Sequence, residues 1–156
     1  MVYFIESRSV ASRRKIDILN EDDELIGVIK FHRKSADYPI EITNMITAKT
    51  YQVQSNPLKL KGRFVVFNDN KQVAKISLGI KIIHSIVEQE QYFFVKAAFW
   101  KIKYQLYVNR EVLNTLSVIR KDKKRFYKIE SKDDDFINVI SLFLLARAIR
   151  VKVLLS

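Results

Sequence analysis

The chain has 156 residues and a mass of 18.4 kDa, the size of one ordinary domain, and 48% of its residues are hydrophobic, which is enough for one core. It carries 28 Lys and Arg against 17 Asp and Glu, a net charge of +11, so we expect its surface to attract polyanions. A Lys-rich composition that serves solubility alone would give the same excess. The lack of cysteine excludes disulfides, thiolate nucleophiles and the usual zinc fingers.

Short segments rich in Val, Ile, Phe and Tyr follow one another along most of the chain, separated by brief polar breaks, and this pattern predicts an antiparallel meander. The first is YFIESR, and KIDILN and ELIGVIKF then flank a turn at residues 21–23. Residues 40–46 and 49–54 are less regular, in a stretch that holds both prolines and is compatible with a helical turn. Later turns are predicted at residues 69–70, 88–91, 109–110 and 121–123, several of them at Asn or Asp, which tolerate left-handed backbone.

Alternation supports the strands: Tyr104, Leu106 and Val108 fall on one face of KYQLYVN. Counting such segments gives about twelve strands. We find no internal repeat, linker or domain boundary, so residues 1–156 are predicted to form a single domain.

The segment DDDFINVISLFLLARAIR, residues 133–150, predicts a helix that Ser131 or Asp133 would cap. Its apolar positions leave no polar face. The uncharged run from 136 to 146 is too short to span a membrane, and Arg147 and Arg150 follow it. A surface helix would need a charged face. We therefore expect a mainly β (α+β) fold: about twelve strands in a closed antiparallel β-barrel that encloses this hydrophobic C-terminal helix. The final VKVLL would extend the helix or form a last strand.

This order of elements, from hairpins such as KIDILNEDDELIGVIKF to the helix DDDFINVISLFLLARAIR, resembles the Tubby C-terminal-like superfamily. The superfamily includes LURP-one-related and phospholipid scramblase-like proteins, and the resemblance, to a small single-domain member of bacterial type, covers essentially the whole chain. It implies a twelve-stranded barrel around a central helix. Tubby proteins bind phosphoinositide headgroups through basic side chains, and the superfamily is linked to membrane tethering. No binding motif of the superfamily matches position by position, so no residue is assigned by the resemblance.

The densest basic cluster is RKDKKRFYK, where a predicted hairpin turn leads into a strand with Phe126 and Tyr127. Lys provides point charges for phosphate and Arg provides forked hydrogen bonds, while an aromatic ring suits a membrane interface or a stacked base. The predicted lipid or polyanion site comprises Arg120, Lys121, Lys123, Lys124, Arg125 and Lys128. The alternative is a solvated turn that keeps the protein soluble. Smaller basic segments at residues 13–15, 30–34 and 59–63 would contribute only if the fold brought them together.

No other pattern in the chain indicates catalysis, a cofactor or a metal site. The run Asp133 to Asp135 lacks the spacing and glycine of a calcium loop and is interpreted as helix capping. His32 and His84 stand near no nucleophile motif, and none of the three glycines forms a phosphate-binding loop. The aromatic segment from Tyr92 to Trp100 is interpreted as core and barrel wall, with a base-stacking platform as the alternative.

We therefore expect a non-enzymatic binding or scaffold module for anionic phospholipid headgroups or a membrane-associated partner. The start of the chain, MVYFIESRSV, lacks the pattern of a signal peptide, and no transmembrane segment is predicted. A cytoplasmic protein, peripheral at the inner membrane surface, is the expectation. The alternative function is nucleic-acid binding through the basic and aromatic surface.

Overall fold

The computed structural model describes residues 1–11, 14–32, 40–55, 63–77, 82–86, 89–97, 103–108, 111–132 and 136–155. A short 3-10 helix, Ser9–Ala11, follows the first strand. The strands and the one long helix are β1 (Val2–Glu6), β2 (Ile16–Leu19), β3 (Leu25–Phe31), β4 (Ile40–Asn44), β5 (Lys49–Ser55), β6 (Arg63–Asn68), β7 (Lys71–Ser77), β8 (Ile82–Ile86), β9 (Gln89–Ala97), β10 (Lys103–Val108), β11 (Glu111–Lys121), β12 (Lys124–Ser131) and α1 (Phe136–Leu155).

Each strand pairs antiparallel with its neighbours in the chain, as the meander pattern predicts. The first strand also meets the last: β1 pairs with β12 from Val2 opposite Glu130 to Glu6 opposite Phe126. By contrast, β1 and β2 are joined at one residue pair, Phe4 opposite Leu19. Neighbouring strands thus follow one another in the order β1-β12-β11-β10-β9-β8-β7-β6-β5-β4-β3-β2.

The prediction of a twelve-stranded closed barrel is wrong for the part of the wall whose side chains the structure describes. There the wall is a nine-stranded antiparallel sheet, from β11 and β12 through β1 to β7, that is not closed into a barrel. Of the side chains in β8, β9 and β10, which stand between β7 and β11, only the half-buried Gln105 is described. The sequence pattern could not reveal this difference. Alternation of apolar and polar residues shows only that each strand has one buried face, and a curved sheet packed on a helix has the same alternation whether or not it closes.

The helix α1 lies against the buried face of this sheet. All its described side chains from Phe136 to Ala146 are buried, and they point in every direction around the axis, so the predicted burial of the helix on every side is confirmed for the described side chains of this stretch. The ring of Phe136 contacts Tyr3 of β1 edge-on at 6.0 Å and stacks on Tyr51 of β5 at 6.1 Å. Strands that are well apart in the sheet therefore converge on one helix residue, which shows that the sheet curves around α1.

The helix begins at Phe136 and ends at Leu155. Ser131 is the last residue of β12, and its backbone N–H donates to the carbonyl oxygen of Met1 at 2.9 Å, so it lies in the sheet ahead of the helix, which begins at Phe136. The predicted caps at residues 133–135 lie outside the described residues. The final VKVLL extends the helix to Leu155.

Several predicted turns are confirmed by left-handed backbone. Asp23, Asp69, Asn70 and Asp122 have φ between 51° and 62°, the conformation that Asp and Asn tolerate. The predicted turn at residues 88–91 is wrong in extent, because β9 already begins at Gln89. The turn at residues 109–110 and the side chains of Tyr104, Leu106 and Val108 lie outside the part described.

Candidate anion-binding site

The basic cluster lies on the hairpin that joins β11 to β12. Its turn consists of Asp122 and Lys123, both with left-handed backbone, φ 51° and 65°. Two-residue turns of this kind match the right-handed twist of the flanking strands. Asp is suited to the first position, whereas Lys at the second pays a steric cost of roughly 1–2 kcal/mol relative to Gly. The turn therefore holds a lysine at its tip where backbone energy favours a smaller residue.

A pocket of about 340 Å³ opens where this hairpin meets the end of β1. The pairing of β1 with β12 continues past Glu6, because the N–H of Ser7 donates to the carbonyl oxygen of Arg125 at 2.9 Å. This contact brings Arg8 to the hairpin. The pocket is lined by polar residues alone: Glu6, Ser7, Arg8, Arg120, Lys123, Lys124 and Arg125. We call the five cations of this lining, Arg8, Arg120, Lys123, Lys124 and Arg125, the basic site.

The structure brings together four of the six predicted site residues, namely Arg120, Lys123, Lys124 and Arg125. The other two, Lys121 and Lys128, do not line the pocket and pair with carboxylates elsewhere. The ammonium of Lys121 lies 2.8 Å from Asp23 Oδ1 and 5.6 Å from the centre of the Phe4 ring. The hydrogen bond to Asp23 raises the pKa of Lys121 above its ordinary value, so Lys121 is charged at neutral pH. Lys128 pairs with Glu130 at 2.8 Å.

Arg8 is the member of the basic site that sequence reasoning missed. The sequence could have indicated Arg8 only indirectly. Pairing of the first strand with the last places residues 7–8 beside residues 124–125, although 117 positions separate them in the chain. The smaller basic segments do not contribute as far as they are described, because Arg14, Lys15 and Lys30 do not line the pocket. Residues 13, 33–34 and 59–62 lie outside the described residues.

The chemistry of the basic site suits an accessible phosphate group. Three guanidinium groups offer forked N–H donors and two ammonium groups add point charge. All five basic residues are exposed, so an anion reaches them without desolvating a buried charge. One carboxylate, Glu6, shares the lining and leaves it strongly positive.

Other candidate chemistry has a plain structural explanation or lies outside the described part. His32 is exposed, and its Nε2 lies 3.3 Å from Glu41 Oε2, a surface pair of small energetic effect. The side chain of His84 in β8 and the run Asp133 to Asp135 are outside the described residues, as are the side chains from Tyr92 to Trp100. Within the described ranges, no group of three or more His, Asp or Glu residues is arranged to hold a metal ion.

Comparisons of the chain with protein-family models, curated proteins and solved structures give no match. The resemblance to the Tubby C-terminal-like superfamily therefore stays a prediction from the order of elements. In the part of the chain that the structure describes, no helix combines the length and the apolar character needed to cross a membrane.

Proposed function

We propose that the protein is a non-enzymatic module that binds peripherally to anionic phospholipid through the basic site. The supporting observation is the pocket at the β11–β12 hairpin, where five cations from two distant parts of the chain converge. Each Lys or Arg near an anionic lipid surface contributes roughly 1 kcal/mol, and this falls off within a Debye length of about 8 Å at physiological salt. Five such residues together give useful but reversible attachment.

Two features favour a bound anion over a turn that only aids solubility. Like charges in one pocket repel one another, and solubility does not require them to converge. Lys123 also keeps a left-handed backbone in the pocket lining. Strain of this kind persists where the surroundings or a function compensate for it.

Lipid is favoured over nucleic acid because the lining of the pocket contains no aromatic side chain. Proteins that bind single strands generally stack bases on aromatic rings in addition to neutralising phosphates. A cytoplasmic location at the inner membrane surface and a place in the Tubby-like superfamily belong to this proposal.

Vesicle pelleting tests the proposal with two variants that each remove one positive charge. Lys124→Ala changes the basic site, and Lys75→Ala changes an exposed lysine on β7 that does not line the pocket. On phosphatidylcholine vesicles that contain phosphatidylserine, we expect Lys124→Ala to weaken binding about fivefold and Lys75→Ala less than about twofold. Added salt should weaken binding of the wild type.

Two results would overturn the proposal: equal recovery with phosphatidylcholine alone, or equal losses for Lys124→Ala and Lys75→Ala. Short single-stranded and duplex DNA in place of vesicles test the alternative that the ligand is nucleic acid. Tight binding to DNA that falls steeply with salt, without a preference for anionic vesicles, would identify nucleic acid as the ligand.

A further inference from the structure

Exposed apolar side chains cluster at two neighbouring turns. Met45 and Ile46, in the turn between β4 and β5, are 51% and 60% exposed, and Leu25 at the start of β3 is 41% exposed. The N–H of Met45 donates to the carbonyl oxygen of Ile26 at 2.9 Å, which ties this turn to β3. We call Leu25, Met45 and Ile46 the apolar tip. Adjacent exposed apolar residues of this kind indicate a contact surface more often than isolated ones do.

The apolar tip is flanked by the most acidic segment among the described turns. Glu21, Asp22, Asp23 and Glu24 form the turn between β2 and β3, directly before Leu25, and all are exposed. On a chain of net charge +11, a carboxylate cluster beside apolar side chains attracts a cationic protein surface.

The cationic surface that this acidic turn complements lies on the same molecule. Lys121, at the end of β11, bonds to Asp23 at 2.8 Å, so the acidic turn and the β11–β12 hairpin are neighbours. The apolar tip, the acidic turn and the β11–β12 hairpin, which carries four of the five basic-site residues, are therefore neighbours on the surface, and we call the surface that they form the mixed face. A two-fold dimer brings the same patch of both copies together, with residue i of one copy against residue j of the other and the reverse. With the axis between the two charged patches, that symmetry places each acidic turn against the partner's basic hairpin.

We propose that the mixed face is the interface of a homodimer, with the apolar tips buried and the acidic turn of each copy against the basic site of the other. A surface that carries an acidic patch beside a basic patch forms two equivalent contacts between opposite charges across a two-fold axis. The interface closes after two copies, so the assembly stops at a dimer.

Sedimentation velocity at low and high salt tests the dimer with three interface variants and one control variant, all at exposed residues. Asp22→Lys and Lys124→Glu each place like charges across the axis, and we expect each to raise the dimer dissociation constant by more than about tenfold. Ile46→Ser should also weaken the dimer, and Lys75→Glu, an exposed change on β7 that belongs to neither the basic site nor the acidic turn, should leave it unchanged. Wild-type dimers should weaken as salt rises.

Mixing the two charge variants gives the decisive measurement. In a pair formed by one Asp22→Lys copy and one Lys124→Glu copy, both charge contacts are again between opposite signs, so dimers should return in the equimolar mixture. A wild type that stays monomeric at low salt, or a mixture that shows no recovery, would overturn the proposal.

Vesicle pelleting separates this proposal from the lipid proposal. If the wild type is monomeric and Ile46→Ser lowers its recovery with anionic vesicles, the apolar tip contacts membrane and the dimer is rejected. If dimers form but anionic vesicles are not bound, the lipid proposal fails and the dimer stands. Both activities use the basic site, so anionic vesicles should dissociate the wild-type dimer.

Discussion

Lys123 shows at the scale of one residue how backbone energy and charge oppose each other. Its φ of 65° is a conformation that Gly or Asn adopts with less strain. Its side chain nevertheless lines the pocket, where it adds one of the five positive charges. The lysine thus costs the turn stability and adds to the binding of an anion.

Replacing Lys123 by Gly separates these two effects. We expect the free energy of unfolding to stay unchanged or to rise by up to about 1 kcal/mol, because steric relief outweighs the greater chain entropy of Gly. Binding to anionic vesicles should fall about fivefold. Urea denaturation and vesicle pelleting measure the two quantities, and Lys123→Asn serves as a control that also tolerates the left-handed backbone. Unchanged vesicle binding would contradict a role for Lys123 in the site.

Arg147 explains how a charged residue fits near the end of the buried helical run. Its Nη1 donates to the carbonyl oxygen of Val10 at 2.8 Å, and its guanidinium lies over the Phe31 ring at 4.6 Å. The sequence predicts that Arg147 and Arg150 mark where the helix approaches solvent. Arg147 is half-buried and engages the protein at this point, whereas the side chain of Arg150 lies outside the described residues.

At the scale of elements, β3 depends on a glycine in the middle of the strand. Gly27 pairs with Ile18 of β2 and Asn44 of β4. A Cβ at this position would lie 3.1 Å from both the carbonyl oxygen of Thr43 and the Cδ1 atom of Ile18. The Thr43 oxygen belongs to the backbone of β4 and has little freedom to move, so the sheet has no room for a side chain here.

We expect Gly27→Ala to lower the free energy of unfolding by about 1–3 kcal/mol, the usual cost of overpacking a core. Chemical denaturation with urea measures the loss. Lys30→Ala, an exposed change on the same strand, should shift the free energy of unfolding by less than about 0.5 kcal/mol. Equal stability of Gly27→Ala and the wild type would show that β4 yields at Thr43.

At the scale of the whole molecule, α1 and the nine-stranded sheet form one core. The helix side chains from Phe136 to Ala146 share this core with inward-facing residues such as Ile5, Ile18 and Val53. The helix thus depends on the sheet to cover its apolar surface, and the sheet depends on the helix to fill its concave face. Neither is expected to fold alone.

Leu145 tests this mutual dependence, because it is 8% exposed and belongs to the shared core. Leu145→Asp places a carboxylate without a partner among apolar side chains, at a cost of about 4 kcal/mol or more. We expect loss of the folded state by circular dichroism. Leu25→Asp, the same change at an exposed site, should leave the protein folded. A folded Leu145→Asp variant that merely loses membrane binding would contradict the buried position of the helix.

The sequence by itself determined the local structure. Alternation in strands such as IDIL and IEITN depends on the period of two along a strand, and the turns at Asp69, Asn70 and Asp122 depend on side chains that tolerate left-handed backbone. The all-round apolar character of residues 136–146 likewise follows from one short segment. These features are set by neighbours a few residues apart, so the printed sequence is sufficient to predict them.

Only the tertiary structure decided how the sheet is arranged and which charges meet. Arg8 joins the basic site because β1 pairs with β12, and Lys121 leaves it because Asp23, 98 positions away in the chain, offers a carboxylate at 2.8 Å. Whether the sheet closes likewise depends on contacts between distant parts of the chain, here in the part of the wall between β7 and β11. Such contacts depend on strand curvature and on the path of the whole chain, and local periodicity carries no information about either.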